Sequence, residues 1–177
     1  MGTMTTLSSA AHTAQAATDG YSDQPQPLGP YLTLMGTFGA FVAGLSAATW
    51  FSGTKLPAKA PALSDLLLLG VATHKMARLI TKDAVTSPIR APFVRLKEEA
   101  AGEGEVEEEA RGEGMQRAIG DLLTCPFCIG VWIATPMWFG MLLAPRLTRF
   151  VAGILATVTG ADFMHQIHVK AKSWADK

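Results

Sequence analysis

The sequence predicts an all-α fold, a small integral-membrane helical bundle of three or four transmembrane helices, on three observations. Hydrophobic residues make up 49% of the 177-residue chain and charged residues only 17%, below the roughly 25% charged of an average soluble domain. Residues 31–51 and 126–144 hold 21 and 19 residues without a charge, close to the roughly 20 that a helix needs to cross about 30 Å of hydrocarbon. The longest polar tract, residues 82–121, lies between them. Fifteen basic residues balance fifteen acidic ones, so no net field points to nucleic acid as a partner.

Residues 1–29 are rich in Ala, Ser, Thr, Gln and Pro and carry no Lys or Arg. Without an apolar period they cannot offset the entropy of ordering, and a disordered tail is expected. The membrane domain is expected over residues 30–172, with 173–177 a short tail. Its first helix, residues 31–51, carries Gly36, Ala40 and Gly44 four apart on one face, a spacing that lets a neighbouring backbone approach closely or only reflects the frequency of small residues in such helices. Residues 62–81, ALSDLLLLGVATHKMARLIT, are ambiguous. Each charge costs about 2.5–3.5 kcal/mol at mid-bilayer while each Leu returns about 0.3–0.6, so insertion of this stretch alone is marginal. It either spans with His74 and Arg78 turned into the bundle or lies along the interface as an amphipathic helix.

Residues 82–121 read as a polar, acidic loop. Pro88 and Pro92 interrupt a helix in its first half, and Gly102, Gly104, Gly112 and Gly114 weaken one in the second. Eight of the sixteen residues from 98 to 113 are Glu, a run expected to be solvated, or else a docking tail for a basic partner. Residues 126–144 form the next span, with Pro136 inside it, and the last runs from residue 150 past Asp162, His165 and His168 to Lys170 and Lys172.

Eight Lys and Arg between residues 75 and 117, and three in the carboxyl tail, oppose four in the two short turns. The positive-inside tendency therefore places the loop, the cysteine pair and the carboxyl end in the cytoplasm of a multi-pass protein of the bacterial inner membrane. The first span has two basic residues after it and none before it, which alone favours an outside amino terminus; the three-span arrangement removes that conflict. In a reducing compartment no standing disulfide is expected.

Both cysteines stand in LLTCPFCIGVW, residues 122–132. Thr124 or Cys125 is suited to cap a helix that opens at Pro126. Three readings of the pair stay open. In a thiol-redox centre Cys125, activated by the positive end of the helix, attacks and Cys128 resolves. In a zinc site, Cys125 and Cys128 join His165 and His168, with Asp162 as an orienting group. In the third the cysteines are compact residues that seat the helix. No nucleophile elbow, phosphate-cradling glycine loop or metalloprotease helix is present in the sequence.

Three motifs together, THxxxRLxxxD at Thr73–Asp83, RAPF from Arg90 and CPxCxG from Cys125, resemble a family of small bacterial membrane proteins catalogued as domain of unknown function 1360, which includes a sporulation-associated member. The likeness runs over about residues 63–165. It carries Thr73, His74, Arg78, Asp83, Arg90, Pro92, Phe93, Cys125, Pro126, Cys128, Gly130 and Trp132 onto the family pattern, with Phe127 where a tryptophan is expected. The acidic run and the amino-terminal tail read as additions. The resemblance implies a membrane location and no activity. The expected role is a non-enzymatic structural or interaction component, in which His74, Arg78, Asp83 and Arg90 form a polar cluster toward lipid headgroups or a membrane or cytoplasmic protein partner; the alternative is a thiol or zinc centre on the CPFC pair.

Overall fold

A computed structural model describes residues 21, 26–58, 60–102 and 104–175 of the chain. Most of the expected tail, residues 1–29, lies outside the described residues, as do residues 176 and 177.

Helix α1 (Leu28–Phe51) starts before residue 31, because Pro30 falls in the first turn, where a missing N–H costs nothing. Helix α2 (Leu63–Thr81) opens with Asp65 in its first turn and closes with Arg78 in its last, each favourable to the helix dipole. A 3-10 turn (Ala84–Thr86) and the one-turn helix α3 (Ser87–Arg90) follow. Strands β1 (Val94–Gly102) and β2 (Glu105–Ala110) form an antiparallel hairpin. The remaining helices are α4 (Gly114–Thr124), α5 (Pro126–Leu143) and α6 (Pro145–Ala175).

The bundle is predominantly helical, as expected, and α1, α5 and α6 are long and apolar enough to cross a membrane. Their directions follow from paired residues. Tyr31 at the start of α1 reaches Asp121 just before α5, and the Phe38 ring on α1 lies 5.0 Å from that of Trp132 on α5, so the two helices run the same way. Asp65 meets Arg149 and, further along both helices, Lys75 meets Asp162, so α2 runs parallel to α6. Helix α2 therefore lies lengthwise in the bundle and not across its end. Its Leu69 and Ala72 pack against Ala152 and Leu155 of α6, with Met137, Trp138 and Met141 of α5 alongside.

The polar segment is folded, which corrects the expectation of a loop over residues 82–121. Gly104 takes the hairpin turn at φ +81°, and Gly112 and Gly114 make the next turn at +75° and +57°, so these glycines shape turns where a helix had been judged only weakened. In β1 an extra residue at Lys97 shifts the register between Leu96↔Glu108 and Glu98↔Glu107. The other edge of β2 bonds to the chain leaving α2: Val106 N–H donates to the Lys82 carbonyl (2.9 Å) and Ala84 N–H to that of Gly104 (3.0 Å). Helix α4 was not foreseen, although Met115, Ala118, Ile119, Leu122 and Leu123 have the spacing of one apolar helix face.

The glycines of α4 and α1 have opposite surroundings. A methyl group on Gly120 of α4 would stand 2.4 Å from the Phe93 carbonyl oxygen and 2.8 Å from Ala110 Cβ, so only glycine lets α4 close onto the hairpin. A methyl group on Gly36 or Gly44 of α1 would meet nothing within 4 Å, so no neighbouring backbone among the described residues uses that stripe. Gly120→Ala is expected to destabilise the protein by about 1–3 kcal/mol in denaturant unfolding of detergent-purified material. Gly36→Ala, which relieves a helical glycine, should leave stability unchanged or slightly raised.

Candidate functional site: the polar cap and the CPFC junction

At one end of the bundle the turn, α3, the hairpin and α4 form a cap whose centre is Arg90. Its side chain is 0% exposed, and every one of its five N–H donors has an acceptor. Nε donates to the Glu108 carboxylate. One terminal nitrogen donates to the Ile80 carbonyl (2.8 Å) and the Thr86 hydroxyl (2.6 Å). The other donates to the Asp83 carbonyl and the Ser87 hydroxyl, both at 3.1 Å. Glu108 is itself only 5% exposed. A guanidinium in a dry site needs this complete set, because each unpaired donor would add its own desolvation cost. Among the described residues no buried side-chain polar atom lacks a partner.

The acidic run supplies the counter-charges. The two-residue period puts Glu105, Glu107 and Glu109 on one face of β2 and Glu108 on the other. Glu105 pairs with Arg78, Glu107 with Lys82 (3.0 Å), and Glu109 with Arg95 across the hairpin (2.6 Å). This corrects the reading of residues 98–113 as a solvated run, for at least these four glutamates are engaged.

The expected polar cluster is thus partly assembled. Arg90 binds the main-chain carbonyl of Asp83, and Asp83 bridges to Glu105 in the backbone ladder. Arg78 stands at the same end of α2 but is committed to Glu105. His74 is exposed and makes no side-chain hydrogen bond among the described residues. The cluster is turned inward on its own carboxylates, with Arg90 wholly enclosed.

Cys125 is the single extended residue between α4 and α5. Thr124 closes α4 by donating to the Gly120 carbonyl (3.0 Å). Cys125 caps α5, its sulfur accepting the Cys128 N–H at 3.1 Å, and Pro126 fills the first helical turn, as the sequence predicts. The two cysteines are joined in a disulfide, with Cα atoms 5.2 Å apart, which corrects the expectation that no disulfide stands there. The reason is local: a cap residue and the third residue of the helix it caps lie within disulfide reach.

The zinc reading is not assembled. Among the described residues no three His, Cys, Asp or Glu side chains converge on a metal-sized point. Cys125 and Cys128 are spent on each other, and His165 and His168 stand exposed on the outer part of α6. Asp162, offered as an orienting group for the histidines, instead receives Lys75 at 2.8 Å.

The sequence does not reveal the long-range pairs within the chain: Asp65 with Arg149 (3.0 and 2.9 Å), Lys75 with Asp162, and the Tyr31 hydroxyl donating to Asp121 (2.7 Å). The alternation of Glu in EVEEEA was the one available signal for β2.

Replacing Arg90 by Met strands Glu108 without its cation and is expected to cost about 3–5 kcal/mol. Glu108→Gln keeps an acceptor for Nε–H and should cost less. Limited proteolysis of the hairpin in detergent, with cleavage faster in the order Arg90→Met, Glu108→Gln, wild type, checks this.

Comparison with known proteins follows the same residues. The family described as "Protein of unknown function (DUF1360)" matches residues 68–168, which contain α5, most of α2 and the whole cap. Sporulation protein YjcA of Bacillus subtilis (strain 168) is 32% identical over 93 residues, covering 51% of this chain and 79% of the relative. UPF0713 protein YngL of the same organism is 33% identical over 96 residues, covering 54% and 71%. No solved structure matches the chain at a significant level. With more than half of its length matched, from within α2 through the Arg90 cap and the CPFC junction into α6, the chain belongs to the DUF1360 family.

Proposed function

We propose that this protein is a non-enzymatic structural or interaction component of the bacterial cytoplasmic membrane. In this reading α1, α2, α5 and α6 cross the bilayer together and the cap stands on the cytoplasmic surface. The outward side of the bundle carries the reading. No residue of α5 is buried, and α1 buries only Thr49. Met35, Val131, Phe150 and Ile154, among many others, face outward with nothing among the described residues to cover them. A soluble monomer rarely exposes contiguous apolar surface beyond a few hundred Å². Lipid is the solvent that suits these faces.

Helix α2 fits the same reading because its charges at Asp65, Lys75 and Arg78 are answered within the chain by Arg149, Asp162 and Glu105, which offsets part of the insertion cost that its sequence alone would carry. The excess of Lys and Arg on the cap side supports the cytoplasmic assignment. The partners are the bilayer and a membrane or cytoplasmic protein. The relative named as a sporulation protein carries a process and no reaction in its name, which agrees with a component more than with an enzyme.

The test uses Cys125→Ser and Cys128→Ser together, with single cysteines at Lys55→Cys in the turn after α1 or Lys97→Cys in β1, both exposed positions. In intact cells a membrane-impermeant maleimide should label Lys55→Cys at once and Lys97→Cys only after permeabilisation, and the protein should stay in the pellet through alkaline carbonate. Recovery of a detergent-free soluble monomer overturns the membrane reading. The reverse labelling pattern overturns the cytoplasmic assignment of the cap.

A further inference from the structure

We propose that the Cys125–Cys128 disulfide is exchange-active and accepts two electrons from a vicinal dithiol of a protein partner at the membrane surface. This goes beyond the structural role proposed above, and its test on purified protein does not depend on sidedness.

Four observations carry it. Cys125 and Cys128 are joined in a disulfide; Cys125 is the only residue between α4 and α5, Cys128 is the third residue of α5, and no third cysteine in the chain competes for either sulfur. The two residues are inequivalent: Cys128 is exposed, whereas Cys125 is half-buried. Cys125 Sγ accepts the Cys128 N–H at 3.1 Å at the opening of an 18-residue helix, where charge on sulfur is met by an N–H donor and the helix dipole. Between them Phe127 is 90% exposed, an apolar contact for a docking polypeptide. A disulfide that only fastened two elements would join residues far apart in sequence; this one joins residues three positions apart and restricts the unfolded chain little.

The inequivalence sets the direction of attack. A partner thiolate approaches the exposed Cys128 Sγ along the S–S axis and forms a mixed disulfide with it. The bond to Cys125 breaks, and its electron pair leaves as the Cys125 thiolate, already facing the Cys128 N–H. The partner's second thiolate then attacks its own sulfur in the mixed disulfide and expels the Cys128 thiolate. The two protons lost by the partner thiols protonate the two cysteines. The partner dithiol is oxidised to a disulfide and the CPFC pair is reduced, with two electrons and two protons transferred. The reverse sequence runs when a disulfide is offered to the reduced pair.

The experiment takes the full chain in nanodiscs through a series of reduced and oxidised glutathione ratios, followed by alkylation and intact mass. The wild type should pass reversibly between fully oxidised and fully reduced without keeping a glutathione adduct, since Cys125 re-forms the bond. At the oxidising ratios Cys125→Ser should retain a stoichiometric adduct on Cys128, which no second thiol of the chain can resolve. Mixed with one equivalent of reduced dithiothreitol, the oxidised wild type should yield its cyclic disulfide, and Cys125→Ser should yield none. A pair that stays oxidised at every ratio, that exchanges only after denaturation, or a Cys125→Ser variant that takes up no adduct, overturns the proposal.

Discussion

The constraint on which the cap depends is the burial of one cation. Arg90 is placed by the turn after α2 at a point that water does not reach, and a guanidinium there must find an acceptor for each of five donors in fixed planar directions. Four of them come from the chain just before it, from Ile80, Asp83, Thr86 and Ser87. Only the fifth, Glu108, is distant, and it brings β2 onto the end of α2. Once β2 is there, its remaining glutamates meet Arg78, Lys82 and Arg95, and its free edge bonds to the backbone at Lys82 and Ala84. Helix α4 then closes over the hairpin at Gly120.

The same matching of charge explains how α2 lies among apolar helices. Asp65 and Lys75 are held by Arg149 and Asp162 of α6, and a small apolar core of Leu69, Ala72, Ala152 and Leu155 fills the space between the two pairs. Exposed ion pairs add little stability, about 0–1 kcal/mol, so their main effect here is on register: both pairs form together only if α2 and α6 run parallel and in step. The outward faces of α1 and α5 carry no charge, and no other part of the chain covers them among the described residues. The molecule therefore has two unlike regions, a satisfied polar cap and a bundle that presents apolar surface. The CPFC corner stands at their junction, where α4 ends and α5 begins on one residue.

Long runs of one chemical character were legible without coordinates. Residues 31–51 and 126–144 lack charge over the length of a span, and α1 and α5 occupy them nearly end to end. Cys125 and Pro126 carry the local preferences of a helix opening, and that is the role they take. These features depend on neighbours within one turn or on the sum over twenty residues, and both are written in the order of the amino acids. Strand β2 shows the limit of such reasoning: EVEEEA is poor strand sequence by propensity, and it is a strand because Arg78, Lys82 and Arg90 wait for its carboxylates.

By itself the sequence determined the helical class, the apolar spans and the capping of α5, since hydrophobicity and local backbone preference need no knowledge of distant residues. The tertiary structure decided the lengthwise course of α2, the hairpin in place of a solvated acidic loop, the burial of Arg90 and the separation of His165 and His168 from the cysteines. The first three rest on which charge meets which across 14 to 87 residues of chain. Opposite charges attract whatever their order in the sequence, and only the folded path selects one partner for each.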